Sequence, residues 1–328
     1  HEISGLEGKW KSELYKKEVW AETPETTFEE VILHYLNTRP NTQSENAKAF
    51  NLYRAKTLRV YYGGLLMNKL SAREVLSHRN KRMKEVKNST VNRELKMLSA
   101  AITAYNLDYE TQLPNPIKGR ILKEPEGRTR WITKAESVAL IEAARKNDQA
   151  QHLPDLIILA LNTGMRKQEM LGLEWRRVDF QNNLIHLEAQ HTKAARRRTI
   201  PINNNAKSAI LSRMNYRAKN CPASPWVFAH EDGGRILDVR RSFKTACRGC
   251  GIEDFRFHDM RHTCAAWLVS SGRDLQEVRD LLGHASITMT ERYAHLAPEN
   301  VRAAVAVLDD VILRKSASQS RFGHVNEK

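Results

Sequence analysis

Cysteine is scarce in this chain: Cys221, Cys247, Cys250 and Cys264 are the only four among 328 residues, too few to frame a protein of this length with disulfides. Reduced thiols are the expectation. Cys247 and Cys250 have the spacing of half a zinc site, but no second CxxC follows to complete it. Long apolar runs are missing too. Nothing approaches the roughly 18 residues that a membrane-spanning helix requires, and no signal-peptide pattern opens the chain, so a soluble, cytoplasmic protein is expected. The chain begins with His1 rather than Met, from which a missing original start is inferred. Acidic residues are also in deficit: 38 Asp plus Glu face 53 Lys plus Arg, a formal net charge of +15. That surplus makes a polyanion the natural partner, with nucleic acid ahead of an anionic membrane surface.

The length allows two domains, each with its own core. Thr27-Phe28-Glu29-Glu30 has the form of a capping box, and Phe28, Val31, Ile32, Tyr35 and Leu36 follow at helical spacing. A second box, Ser71 to Glu74, opens another segment, and Val91, Leu95, Leu98, Ile102 and Tyr105 form a helical stripe. Nothing between residues 25 and 110 alternates like a strand, so a helical bundle is predicted there. Arg79, Lys81, Arg82, Lys84 and Lys87 crowd one connecting stretch of it. The prolines at 114 and 116 and Gly119 begin a polar, basic run that reads as an exposed linker. A third box, Thr133 to Glu136, starts the second domain, and Leu156 to Leu161 reads as a buried helix ending near Gly164. Val178 and Phe180, the turn-like Asn182-Asn183, and Leu184 to Leu187 predict a hairpin, with a third strand at Thr199 to Ile202. The fold class is therefore mainly α (α+β). Its expected organisation is an extension over 1–25, a helical domain over 26–112, a linker over 113–130, a mostly helical domain with a small antiparallel sheet over 131–310, and a tail over 311–328.

Four separated clusters carry chemistry-bearing residues. In Thr163-Gly164-Met165-Arg166-Lys167-Gln168-Glu169 an arginine follows a helix end, where its planar fork of donors can reach a phosphate. The bland alternative is a surface pair with Glu169. Lys193 lies in the basic tip His191 to Arg198 between the second and third strands. His258 and Arg261 stand three apart and share one side of a helical turn. His258 and His262 also have the spacing of a zinc-binding His-x-x-x-His, but Asp259 replaces the required glutamate and no third ligand has matching spacing. In Leu281-Leu282-Gly283-His284, Gly283 caps a helix, Ser286 is placed to cap the next, and Tyr293 falls about two turns along it. Taken singly, His284 is as readily a capping residue and Tyr293 a core aromatic.

In that order and spacing, Thr-Gly-x-Arg-x-x-Glu, a lysine on a basic hairpin, His-x-x-Arg, Leu-Gly-His and a tyrosine nine residues later resemble the tyrosine recombinase (phage integrase) family over roughly residues 25 to 310. The resemblance implies a core-binding domain ahead of a catalytic one. It implies that Arg166 and Arg261 grip the non-bridging phosphate oxygens, that Tyr293 attacks to leave a 3′-phosphotyrosine, and that His258 and His284 support proton transfer and phosphate binding. Lys193 would protonate the leaving 5′-oxygen, and Glu169 would orient Arg166. No cofactor or metal is expected. The implied partners are double-stranded DNA at specific attachment or core sites, three further copies of the chain in a tetramer on DNA, and accessory bending or directionality factors. The basic stretches Arg79 to Lys87 and Arg235 to Arg248 are expected to track phosphates. The apolar stripe Val301, Ala304, Val305, Leu308, Val311 and Ile312 is expected either to cover its own core or to dock on a neighbouring copy. A type IB topoisomerase, a non-catalytic DNA-binding protein and a metal-dependent nuclease are the competing readings.

Overall fold

The computed structural model describes residues 25–38, 45–125, 130–188, 197–297 and 305. Lys193 and, Val305 apart, the apolar stripe beyond residue 300 lie outside that set. The chain divides into two compact units, His1–Gly127 and Arg128–Lys328, each with its own apolar core.

The first unit is helical: α1 (Phe28–Thr38), α2 (Glu45–Tyr62), α3 (Ala72–Arg82) and α4 (Asn88–Asp108). Its starts follow from local chemistry. The Thr27 and Glu30 side chains each accept from the other's backbone N–H, at 3.4 and 3.1 Å, and Ser71 and Glu74 repeat the arrangement at the start of α3. Phe28, Val31, Leu58, Tyr62, Leu95, Leu98 and Ile102 close the core between these helices.

Two expectations change here. The basic stretch is not a uniform cationic face: Arg79, Lys81 and Arg82 fall in the last turn of α3, and Arg82 is buried. Its guanidinium donates to both oxygens of Glu94, at 2.6 and 3.1 Å, because Glu94 is itself buried and must be paired. Lys81, Lys84 and Lys87 do stay exposed. Nor is residues 113–125 a free linker. The Asn92 amide donates to the Leu122 carbonyl and accepts from the Leu122 N–H, both at 2.8 Å, and Ile117 joins the core, so this run is bound along α4.

In the second unit α5 (Lys134–Arg145) and α6 (Leu153–Thr163) precede the short α7 (Lys167–Leu171). Strands β1 (Val178–Asp179), β2 (Leu184–Leu187) and β3 (Arg198–Pro201) form an antiparallel sheet in chain order. Val178 faces Ile185, and Ile185 faces Ile200. Asn183 takes the left-handed conformation of the turn, and the Asp179 carboxylate accepts from the N–H groups of Gln181 and Asn182. Then follow α8 (Asn204–Asn220), α9 (Arg240–Gly249), α10 (Asp259–Ser270), α11 (Leu275–Leu282) and α12 (Thr288–Glu291).

The apolar α6 is the hub, packed against α5, α8 and α10; that is why Leu156, Ile157, Leu159 and Ala160 can be apolar on all sides of the helix. Gly164 ends it at φ 61°. A Cβ there would lie 2.4 Å from the Leu282 side chain, so both the backbone and the space require glycine.

Candidate active site

The predicted residues of the second unit, Lys193 aside, converge where α6, α10 and α11 end or begin. Arg261, on the first turn of α10, is buried and donates to two main-chain carbonyls, Gly164 at 2.7 Å and Leu282 at 2.6 Å. Both acceptors sit at helix C-termini, where the partial charge is negative and a cation is favoured. Burial first, and then the charges of Arg166 and Arg198, push its guanidinium down to about 9, which leaves it cationic at neutral pH.

Arg166 caps the start of α7. Its guanidinium donates to Glu169 at 2.9 Å and to the Gly283 carbonyl at 3.3 Å. Leu282 and Gly283 thus accept from one arginine each, and two like charges are drawn together on a single turn. Glu169 offsets part of that repulsion. It is buried and also accepts a two-pronged pair from Arg198 of β3, at 3.0 and 2.7 Å. Burial pushes the Glu169 carboxyl up, but the hydrogen bonds and charges of Arg198 and Arg166 outweigh it and hold it below the usual range.

Gly283 adopts φ 65° and turns the chain into His284, whose Nδ1 lies 2.9 Å from the Thr290 hydroxyl. With the hydroxyl donating, the Nε2 of a neutral ring carries the proton. Burial, followed by the Arg261 and Arg166 charges, pushes His284 down to about 4, so the ring is neutral at pH 7. His258 stands at the N-terminal cap of α10, exposed, and burial of part of its ring with the nearby Arg261 charge lowers it too.

Tyr293 differs from its expected placement. α12 is a single turn, Ser286 does not cap it, and Tyr293 lies just past it, at the head of a 3-10 turn over Ala294–Leu296. Thr290, within α12, is buried and its hydroxyl is hydrogen-bonded to His284. The Tyr293 ring is 1% exposed, packed among Ala265, Val269, Val278 and Leu282. Its hydroxyl is hydrogen-bonded to Nδ1 of His262. Burial pushes the phenol up to about 12, against the lowering effect of Arg292 and Arg261.

His262 was visible in the sequence only as a spare metal ligand, yet it is the partner of this phenol. Burial and then His258 push it down to about 4, so it is neutral and able to accept. Its position four after His258 places it one turn further along the same face, and the two rings meet edge to face at 5.3 Å. That spacing was the available signal. Among the described residues no cluster of three or more His, Cys, Asp or Glu side chains could hold a metal, and no helix is long and apolar enough to cross a membrane.

The family model described as the phage integrase family matches residues 130–300. The chain belongs to that family. Similar members include the integrase of Salmonella phage P22, 30% identical over 59% of this chain and 51% of that protein. The shufflon-specific DNA recombinase of Escherichia coli is 26% identical over 74% of this chain and 63% of its own length. This phage integrase family member therefore spans about half to two thirds of those curated relatives. Its fold matches the Tn1549 transposon integrase in complex with a circular intermediate DNA, with a TM-score of 0.73 at 20% identity, covering 87% of this chain and 99% of that one. It likewise matches a lambda integrase dimer bound to a core site, with a TM-score of 0.68 at 17% identity, over 86% of this chain and 84% of that one.

Proposed function

We propose that the chain is a site-specific DNA recombinase that breaks and rejoins strands through a 3′-phosphotyrosine on Tyr293. The observation that carries this reading is the pairing of Arg166 and Arg261 on the carbonyls of Gly283 and Leu282, directly before His284, with Arg261 within electrostatic reach of Tyr293. Those carbonyls and Glu169 hold the pair in place, but two guanidiniums set side by side still leave donors and positive charge for a further anion. The pair suits an anion whose charge increases as a fifth oxygen bonds to phosphorus.

The roles follow from the chemistry. Arg166 and Arg261 receive the non-bridging oxygens, and His284 adds one N–H. The phenol of Tyr293 loses its proton as it attacks, to a neutral imidazole such as His258. The 5′-oxygen leaves as a strong base, and Lys193 on the hairpin supplies its proton. The phosphotyrosine keeps the bond energy of the broken diester, so a 5′-hydroxyl of another strand reverses the step without an external energy source. Glu169 orients Arg166. Because the phenol is covered and bonded to His262, engagement with DNA must draw Tyr293 out before attack.

Double-stranded DNA is the proposed substrate; the structurally similar Tn1549 integrase was solved in complex with a circular intermediate DNA, and the lambda integrase dimer bound to a core site. The basic face of α9, with Arg241, Lys244 and Arg248 exposed, supports contact with phosphates, whereas Arg235 is held to the end of α7 by the Leu171 carbonyl at 2.9 Å. A lambda integrase tetramer has been solved on a Holliday junction, and the same assembly is proposed for four copies of this chain. Bending or directionality factors are proposed as accessory partners.

The test is a nicked duplex carrying the attachment region, incubated in EDTA with the parent and with Tyr293→Phe. A slower, denaturation-resistant protein–DNA band from the parent alone is expected. Equal bands from both, or cleavage that EDTA abolishes, would overturn the proposal.

A further inference from the structure

We infer that Arg198, outside the seven residues assigned above, is a positioning residue of the same centre: it holds Glu169 and the Gly283 turn so that Arg166 faces the phosphate. The inference rests on the strand-transfer reading just given.

Arg198 is the first residue of β3, the strand that returns from the lysine-bearing hairpin, and its side chain is 11% exposed. It spends its fork on one carboxylate, at 3.0 and 2.7 Å, and that carboxylate is the one which also binds Arg166. Two guanidiniums thus share one buried anion. With Arg198 in place, Glu169 is satisfied from two sides, and Arg166 needs to give it only one side-chain N–H. Take Arg198 away and Arg166 becomes the one arginine left hydrogen-bonded to a buried carboxylate. Such a carboxylate draws its remaining cation into a tighter pair, and the guanidinium turns from phosphate toward protein.

A second contact reaches the turn that holds both arginines. A Cβ built on Gly283 would lie 2.8 Å from Arg198 Cδ, 3.0 Å from one terminal nitrogen and 3.1 Å from Nε. Arg198 therefore lies flat on the bare backbone of Gly283, whose carbonyl accepts from Arg166. Its Nε is buried without a hydrogen-bond partner, the cost of keeping the guanidinium flat there. Lysine, with one point charge and no plane, reproduces neither the two-pronged pair nor this stacking. Gly283 is thus required for space as well as for its left-handed backbone.

A merely structural ion pair would be expected to affect stability and leave chemistry alone, which separates the two roles. The parent, Arg198→Lys, Arg198→Gln, Glu169→Gln and the double variant Arg198→Lys/Glu169→Gln are compared for single-turnover covalent-complex formation on the nicked duplex, for site binding by gel shift, and for thermal melting. Arg198→Lys should slow covalent-complex formation by about 10- to 100-fold, as a small misplacement of a catalytic group does, while affinity for the site changes less than about threefold. The double variant should be no slower than the slower single, since both remove one unit. On a duplex whose scissile phosphate carries a methyl in place of one non-bridging oxygen, Arg166 has less charge to meet, and the Arg198→Lys defect should shrink.

Arg198→Lys and Arg198→Gln cleaving at the parental rate would overturn the inference. So would multiplying defects in the double variant, or a defect undiminished on the methyl-substituted phosphate. If the parent itself forms no covalent complex, the strand-transfer reading falls, and the role of Arg198 with it.

Discussion

Replacing Gly164 by alanine perturbs the site through one methyl group. Gly164 is at φ 61°, where an L-residue costs about 1–2 kcal/mol relative to a right-handed conformation. The added Cβ would stand 2.4 Å from Leu282 Cδ2, and moving a packed leucine costs about 1–3 kcal/mol more. The total of about 2–5 kcal/mol lowers the melting midpoint of a unit this size by about 4–20 °C. Gly251 supplies the control. It has φ 70° with nothing within 4 Å of a built Cβ, so Gly251→Ala carries the backbone cost alone, a fall of about 2–8 °C. Calorimetry on the two variants separates the terms. Gly164→Ala should also slow covalent-complex formation, because the Gly164 and Leu282 carbonyls both hold Arg261. Equal midpoints for the two variants, or a parental cleavage rate in Gly164→Ala, would refute the claim that this contact seats the arginine.

Further predictions concern protons. His262 and His284 are pushed down to about 4 by burial and neighbouring charge, so between about 6.5 and 4 the unfolded chain binds more protons than the folded one. Their contribution to stability is therefore complete above about pH 6.5 and is lost as pH falls toward 4. His262→Gln should flatten the acid-side decline of the melting midpoint, and an unchanged slope would contradict the burial argument. Lys193→Ala should lose about 100-fold or more in cleavage rate, the usual reach of a general acid. A scissile bond with a 5′-sulfur leaving group, which departs without a proton, should restore most of that rate; a persistent defect would remove Lys193 from this role. Tyr293→Phe leaves the partly buried His262 Nδ1 without its tyrosine partner and should destabilise the second unit by about 1 kcal/mol, read as a small drop in midpoint with site binding intact.

What the sequence makes legible here is local. The boxes at Thr27, Ser71 and Thr133 stand where the pattern puts them, because donor and acceptor lie three residues apart. Gly164 and Gly283 end their helices because each takes the left-handed backbone that glycine adopts freely. The hairpin follows from its asparagine turn and alternating residues. What was not legible depends on partners distant in sequence. Arg82 looked like one of five surface cations until Glu94 of the next helix was seen to bury it. Arg198 was one arginine in a basic run, and its partner Glu169 lies 29 residues away. The spacing from Gly283 places Tyr293 on a helix, whereas the ring is packed against Ala265, Val269, Val278 and Leu282, contacts that no local pattern announces. His262 carried a recognisable spacing, but only the packing of α10 against the Tyr293 segment gives it a partner.

The claim at the centre of this account is that one named oxygen, the hydroxyl of Tyr293, becomes bonded to DNA. It is tested most directly by trapping the covalent complex on the nicked duplex in EDTA, digesting protein and DNA, and locating the nucleotide-bearing peptide by mass spectrometry. A single adduct, a 3′-nucleotide phosphate on Tyr293, is expected. A nucleotide on any other residue, or cleaved DNA with no adduct at all, would contradict it.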